Sequence, residues 1–437
     1  MNKTQLLEIL EEWNFWKKEL DTGKKRDKYL VQSLSFLKPN VVLTIIGLRR
    51  SGKSYLMKQI AKELTERGVA KDEILIVNLE DRRFFERDIK LLDQIFETYL
   101  EVLKPKTKPY IFLDEIQKIP QWERWVRTFH ELNKAKIIVS GSSAKLLYGE
   151  LATVLTGRHL DVVVFPLSFK EFLMFKGLDI KDKLDLIAKR IEIKGFFNEY
   201  LEFGGFPEVV LNEDKTQLLL TYFDDILTKD IEKRYNLRKT EKLRTLARFY
   251  LTNISNPISF NSLKKFLEIS PNTVEKFSSY LEEAYLIFFV NKFSYKLKEQ
   301  EKAARKVYSS DIGLAKAIGF RFTENKGFAA ENIVALELKR KQSQNLSMDI
   351  YYWRDLQGHE VDFLVKEGLK VTKLFQVCWN LDNFKTKERE IKSLIKASKE
   401  LKVNNLLIIT EDYESEETIN KKKIKFIPLW KWLLEEE

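Results

Sequence analysis

The stretch that decides the fold is IIGLRRSGKSYL, which runs from Ile45 to Leu56. It contains the pattern G-x-x-x-x-G-K-S, directly after the apolar run VVLTII. Glycines let a loop wrap a phosphate and aim backbone N–H groups at it, and a following helix adds a positive partial charge at its N-terminus. A buried strand before the loop and a helix after it are the context that this mechanism requires. The stretch therefore predicts a nucleotide phosphate site, and the alternative is a glycine turn with a surface lysine.

The residue types in this loop predict their tasks. We expect Lys53 to reach the outer phosphates and the hydroxyl of Ser54 to bind Mg²⁺. Arg49 and Arg50 are ambiguous, since they could meet phosphate, acidic neighbours or another domain. The residues predicted to bind the nucleotide are Gly47, Arg49, Arg50, Ser51, Gly52, Lys53, Ser54 and Tyr55.

A second candidate lies in PYIFLDEIQ, where four apolar residues end at Asp114 and Glu115. An acidic pair at the tip of a buried strand is costly unless something binds it. We expect Asp114 to position Mg²⁺ and Glu115 to polarise the attacking water as the catalytic base. The alternative is a pair of solvated acids where a strand meets a loop.

A third apolar run ends in VSGSSAKLL, and a polar residue at such a strand end can sense the γ-phosphate of a nucleotide. Ser140 and Ser142 are the candidates, and we assign the catalytic task to Ser142. The alternative is that these hydroxyls cap the helix predicted at 142–147. Arg158 precedes the next predicted strand, and we expect it to stabilise charge at the γ-phosphate, within its own chain or across a subunit interface. For Arg158 the alternative is an ordinary surface arginine.

Four motifs together resemble the AAA+-type ATPases of archaea and bacteria, namely GLRRSGKSYL, IFLDEIQKIPQWERWVR, SGSSAKLL and TGRHLDVVVFPLSFKEF. The resemblance spans nearly the whole chain. It implies an ATPase core, a helical lid and a winged-helix segment, followed by a nuclease-like domain. It also implies ATP as the nucleotide, with Mg²⁺, because no guanine-reading motif is evident.

Alternating strand and helix patterns predict an α/β fold. The short apolar runs indicate strands that are buried on both faces of a mostly parallel sheet, which fits an ASCE/AAA+ core. The predicted domains are N-terminal helices at 1–38, a P-loop core at 39–167, a helical lid at 168–238, a winged helix at 239–298 and a C-terminal α/β restriction-endonuclease-like domain at 299–437.

The predicted winged helix reads as three helices and a strand-like tail. A helix-turn-helix inserts its second helix into a major groove. The helix that begins at Pro271, however, carries one lysine and three glutamates up to Leu286. Its net charge is therefore negative, which is unfavourable in a phosphate-lined groove. DNA contact and a packing module between domains therefore both stay open. The lysines that flank this helix are Lys264, Lys265, Lys292, Lys296 and Lys298.

The C-terminal segment contains GFAAENIVALELKR, YYWRDLQGHEVDFLV and LFQVCWN. An acid on a helix, an aspartate on a strand and (D/E)-x-K on the next strand is the layout of PD-(D/E)XK nucleases, whose carboxylates hold Mg²⁺. Here Glu331, Asp362 and Gln376 occupy the three ligand positions as a possible second metal site, and Cys378 stands where the lysine belongs. We expect the fold to be retained and cleavage to be lost, and Glu360 lies on the strand face of Asp362 as a compensating carboxylate.

The 437 residues carry a formal net charge of +11, which permits a polyanionic partner without requiring one. A single cysteine and three histidines argue against a disulfide framework or a His-rich metal site. No apolar run reaches the ~18 residues of a membrane span, so we expect a cytoplasmic protein. The sequence predicts an ATPase that rearranges its later domains, with DNA or a protein as partner. It does not determine the oligomeric state. The alternatives are an ATP-gated nuclease and a nucleotide-controlled protein switch without a DNA role.

Overall fold

A computed structural model describes residues 1–143, 157–319, 326–381 and 384–435. The chain divides into two compact units, Met1–Val164 and Phe165–Glu437, and each is described by itself. The helix predicted at 142–147 extends outside the described residues. Among the described residues, no helix combines the length and the apolar character that crossing a bilayer requires.

Among its described residues, the first unit has a five-stranded parallel sheet with the order β2-β3-β4-β1-β5. Its strands are β1 Val42–Ile46, β2 Ile74–Asn78, β3 Tyr110–Asp114, β4 Lys136–Gly141 and β5 His159–Val163. Strand β1 lies in the interior of the sheet, with Leu43 opposite Ile138 of β4 and Val42 opposite His159 of β5. The mostly parallel sheet that the apolar runs predict is therefore confirmed, and β4 separates β1 from β3.

Helices cover the sheet and bury its apolar side chains. They are α1 Lys3–Trp13, α2 Asp27–Phe36, α3 Lys53–Glu66, α4 Ile89–Leu103 and α5 Trp122–Glu131, with 3₁₀ turns at Lys71–Glu73 and Ile116–Lys118. A core cluster joins α3 to the sheet, through residues such as Leu56, Ile60 and Phe112. The N-terminal segment is tied to strand β2, because the Asn14 amide donates to the carbonyl of Ile76 at 2.9 Å and accepts from its N–H at 2.7 Å.

The second unit begins with a run of helices. Its helices are α6 Phe169–Phe175, α7 Lys183–Ala188, α8 Arg190–Phe203, α9 Pro207–Leu211, α10 Lys215–Asp225, α11 Thr240–Thr252, α12 Phe260–Leu267, α13 Pro271–Glu283, α14 Leu297–Lys302, α15 Ile312–Ile318, α16 Lys326–Gln344, α17 Phe384–Leu401 and α18 Leu429–Glu435, with a π-helical turn at Ile226–Glu232. Helix α8 stops at Gly204, where φ is +71°. A Cβ at this glycine would lie 2.1 Å from Oδ1 of Asp311, so only glycine fits.

A mixed sheet forms the rest of the second unit, and among the described residues it has nine strands in the order β13-β14-β12-β11-β10-β9-β7-β8-β6. They are β6 Pro257–Ile258, β7 Ile287–Lys292, β8 Arg305–Ser309, β9 Met348–Arg354, β10 Glu360–Glu367, β11 Lys370–Val377, β12 Leu406–Thr410, β13 Ser415–Ile419 and β14 Lys422–Pro428. Strand β7 pairs with β8 on one side and with β9 on the other. The segments predicted as winged helix and nuclease-like domain thus share one continuous sheet.

Candidate functional site

The candidate site lies at the carboxyl edge of the parallel sheet. Because all five strands run in the same direction, the residues that follow β1, β3 and β4 come to the same edge. The structure thereby brings together the glycine-rich loop at 47–52, the pair Asp114 and Glu115, and Ser142. All three belong to the predicted site.

The loop at 47–52 has the backbone of a phosphate cradle. Positive φ values occur at Gly47 (140°), Arg50 (67°) and Gly52 (101°), and Gly52 caps the N-terminus of α3. A Cβ at Gly47 would lie 2.1 Å from the carbonyl oxygen of Val164, so the turn out of β1 needs a residue without a side chain. Such a loop turns successive N–H groups toward a common centre, where an anion binds.

Lys53 is folded onto its own loop. Its ammonium group donates to the carbonyl of Gly47 at 3.1 Å and to that of Leu48 at 3.0 Å, and the residue is only 5% exposed. Ser54 and Tyr55 are exposed at the start of α3. A cation held beside N–H groups and an exposed hydroxyl is the donor set that a triphosphate and Mg²⁺ require, so the residues fit the nucleotide.

Asp114 and Glu115 are buried at the end of β3 and share a serine from the neighbouring strand β4. The hydroxyl of Ser140 donates to Oδ1 of Asp114 and accepts the backbone N–H of Glu115 at 3.2 Å. Glu115 also has a φ of +56°, which is unusual for a residue with a side chain. The carboxylate of Glu115 accepts from the Gln117 amide at 2.5 Å. Ser140 is one of the two serines predicted as sensors, and in the structure its hydroxyl bonds Asp114 and the backbone of Glu115 and so fixes their positions.

Two arginines make contacts around the loop, and an acidic neighbour is one of the alternatives predicted for Arg49. Arg49 lies 3.8 Å from a carboxylate oxygen of Glu80, which stands just beyond β2. Arg26, from the segment before α2, donates to the carbonyl of Ser51 at 2.8 Å. The guanidinium of Arg26 is buried, and it ties the N-terminal segment to the phosphate loop. Arg26 and Ser51 are 25 residues apart, and no sequence pattern links residues at that separation.

Arg158 is not part of this edge, which corrects the prediction that it acts within its own chain. It precedes β5, and its carbonyl accepts the N–H of Val42, the first residue of β1. Arg158 therefore lies at the opposite edge of the sheet, about 16 Å from the phosphate loop at ~3.3 Å per strand residue. Its guanidinium is exposed and pairs with Glu131 at 3.3 Å. A role across a subunit interface stays a prediction.

Comparison with known proteins identifies the family. A family profile described as an AAA domain matches residues 39–173, and profiles described as domains of unknown function match 195–325 and 326–432. An uncharacterised protein of Methanocaldococcus jannaschii is 36% identical over 413 residues, which cover 91% of this chain and 89% of that protein. The chain belongs to this family of AAA-domain proteins. It carries a P-loop ATPase domain of the AAA type.

Other relatives of this AAA-domain protein are also uncharacterised. A Haemophilus influenzae protein is 32% identical over 353 residues, which cover 78% of this chain and 84% of that protein. Among solved structures, the Walker-type ATPase of Pyrococcus abyssi matches 69% of this chain and 99% of its own, with 15% identity and a TM-score of 0.43.

The acids predicted as a second metal site in the AAA-domain protein surround a lysine that the sequence analysis missed. Lys306 of β8 lies 3.0 Å from Glu331, 2.9 Å from Asp362 and 2.7 Å from Glu360. Burial alone would lower the pKa of Lys306, but the charges of Asp362 and Glu331 outweigh it and hold the pKa well above its usual value. Burial raises the pKa of Glu331 to about 8, and the charge of Asp362 adds to this shift.

Two glutamates of helix α13 accept hydrogen bonds from within the protein. Glu282 accepts the backbone N–H of Phe289 at 3.2 Å, and burial raises the pKa of Glu282. Glu283 accepts the hydroxyl of Tyr235 and, at 3.0 Å, that of Ser279. Two of the three glutamates counted in the sequence are therefore bonded within the protein. The exposed basic residues on α12 and α13 are Lys264, Lys265 and Lys276.

Proposed function

We propose that this protein binds and hydrolyses Mg-ATP at the carboxyl edge of the parallel sheet, and that turnover rearranges the second unit on DNA. The observation that carries the first part is the buried pair Asp114 and Glu115, held by Ser140 at the same edge as the phosphate loop. Two carboxylates kept together beside a cationic loop favour a site that binds a metal-nucleotide complex, because the cations offset their charges.

Each residue has a defined task in this proposal. The loop N–H groups and the ammonium of Lys53 bind the phosphates, and Lys53 leaves the carbonyls of Gly47 and Leu48 to do so. Ser54 and Asp114 hold Mg²⁺, which supplies charge neutralisation at the phosphates when bound. Glu115 orients the water and accepts its proton. Ser142, beside them, is proposed to sense the outer phosphate.

The proposed DNA role rests on charge and on the order of elements. The helices α11, α12 and α13, with β6, β7 and β8, follow each other as helix, strand, two helices and two strands, with the short helix α14 between β7 and β8. This order is typical of a winged helix, and α13 would be its groove helix. With Glu282 and Glu283 bonded internally, the lysines Lys264, Lys265 and Lys276 are exposed here beside the acids Glu268 and Glu275, and the chain as a whole carries a charge of +11.

The ATPase proposal is tested with purified protein and Mg-ATP. We expect Lys53→Ala to abolish hydrolysis, because the phosphates lose their cationic partner. Lys62→Ala is the matched control, since this lysine lies further along the same helix α3, away from the loop. Full activity in Lys53→Ala would refute the site, and loss of activity in both variants would point to damage of α3 instead.

The DNA proposal is tested by adding duplex DNA at moderate salt to the same assay. We expect stimulation that is lost in the triple alanine variant of Lys264, Lys265 and Lys276, with basal hydrolysis unchanged. The matched control replaces three other exposed lysines of the second unit, Lys183, Lys392 and Lys399. A rate of hydrolysis that DNA does not change would refute the proposed DNA role. It would favour a nucleotide-controlled switch that acts on a protein partner.

A further inference from the structure

The family resemblance implies that acids of the second unit hold a divalent cation. Their arrangement in the structure does not fit one. Such a cation would lie between Glu331 of α16 and Asp362 of β10, with Gln376 of β11 as a third ligand. The structure does bring these side chains together. The ammonium of Lys306, which is 1% exposed, occupies the place between the two carboxylates.

The ammonium group of Lys306 is enclosed by acidic side chains. A lysine has three N–H donors, and Nζ has three carboxylate oxygens within reach, from Glu360 at 2.7 Å, Asp362 at 2.9 Å and Glu331 at 3.0 Å. Two of these donors form hydrogen bonds to Glu331 and Asp362, and the ammonium group also lies within ion-pair distance of Glu360. A lysine that orients water beside a metal would need one of its donors for the water.

The remaining ligand atoms are also engaged. The second oxygen of Asp362 accepts the backbone N–H of Val377 at 2.9 Å. The amide oxygen of Gln376 accepts the N–H of Asp362 at 3.3 Å, and its nitrogen donates to Glu390 at 2.6 Å. Gln376 thus braces the strand of Asp362.

We propose that Lys306 is a built-in replacement for the divalent cation, so that this nuclease-like layout is a closed structural ion cluster in the native protein. The lysine comes from β8, outside the motifs that carry the acids, and places one positive charge between them where a metal would bind. Removal of its charge should open a cation site lined by Glu331, Glu360 and Asp362. The position of Lys306 also explains how Cys378 can stand where a nuclease has its lysine.

The test measures binding of Mn²⁺ to the full-length protein without nucleotide, by electron paramagnetic resonance, together with the Tm at each Mn²⁺ concentration. We expect wild-type protein to bind no Mn²⁺ up to about 1 mM and to keep a constant Tm. Lys306→Met keeps the length of the side chain and removes its charge. We expect this variant to bind one Mn²⁺ at least tenfold more tightly than wild type and to gain stability from it. Lys306→Met/Asp362→Asn should lose both effects.

Two results would overturn the proposal. In the first, the wild-type chain binds Mn²⁺ or cleaves DNA with Mn²⁺, and Asp362→Asn abolishes this property. A metal would then displace Lys306 from the carboxylates. The other is a folded Lys306→Met variant that binds no Mn²⁺. Should Lys306→Met fail to fold, the comparison of wild type with Asp362→Asn still decides, since only a metal site predicts a difference in Mn²⁺ binding between them.

Discussion

Replacement of Ser140 by alanine tests how the proposed catalytic pair is held. The Ser140 hydroxyl bonds the Asp114 carboxylate and the backbone N–H of Glu115, and Ser140 is fully buried. A hydrogen bond to a charged group contributes about 1.5–3 kcal/mol. If that energy fixes the acids in the transition state, kcat should fall about 10- to 100-fold, at about 1.4 kcal/mol per factor of ten.

The assay is steady-state hydrolysis of Mg-ATP, because it separates positioning from binding. The phosphate loop does not contain Ser140, so we expect KM to change less than about threefold while kcat falls. Ser33→Ala is the matched control, since this buried serine of α2 donates to the carbonyl of Tyr29 at 2.7 Å. It should lose similar stability and keep its kcat. A folded Ser140→Ala variant with kcat within twofold of wild type would refute the reasoning.

The remaining predictions concern stability, measured by denaturant unfolding. Gly47→Ala should lower the free energy of unfolding by about 3 kcal/mol, because the new Cβ meets the Val164 carbonyl. Gly68→Ala, also at positive φ but in open space, should lower it by about 1 kcal/mol. Equal losses in the two variants would contradict the role of packing at Gly47. Glu115→Gly should abolish hydrolysis yet gain up to about 1 kcal/mol, since glycine relieves the left-handed backbone; a large loss of stability would contradict this. Burial raises the pKa of Asp311 to about 7, so between about pH 4 and 7 the folded state binds a proton that the unfolded state has lost. The free energy of unfolding should therefore fall as the pH rises from about 4 to 7, by at most about 1.4 kcal/mol per pH unit. Asp311→Asn should remove that part of the slope, and an unchanged slope would contradict the assignment.

The parallel sheet and most of the site edge could be predicted from the sequence. Apolar runs marked the strands, and parallel strands bring the residues that follow them to a single edge. This rule is enough to place Lys53, Asp114 and Glu115 together. The same rule, applied strictly, places Arg158 at the other edge, because it precedes its strand. The prediction that Arg158 acts within its own chain therefore disagrees with strand direction, whereas a role across a subunit interface stays a prediction.

Other features depend on tertiary contacts that sequence patterns do not record. Lys306 lies on a strand outside the nuclease-like motifs, 25 residues before Glu331 and 56 before Asp362, and local spacing cannot link them. Net charge counted along α13 treated Glu282 and Glu283 as solvated, whereas their partners come from Phe289 and from Tyr235. In both cases the charges are visible in the sequence, and only packing determines which charges face each other.

The most direct test of the central claim compares ATP binding with ATP hydrolysis in Glu115→Gln. This change removes the proton acceptor and leaves the phosphate loop and Asp114 in place. The proposal predicts an affinity for Mg-ATP within about threefold of wild type, and single-turnover hydrolysis slower by at least about 100-fold. Hydrolysis at the wild-type rate would contradict the assignment of Glu115, and with it the claim that this edge of the sheet is the catalytic site.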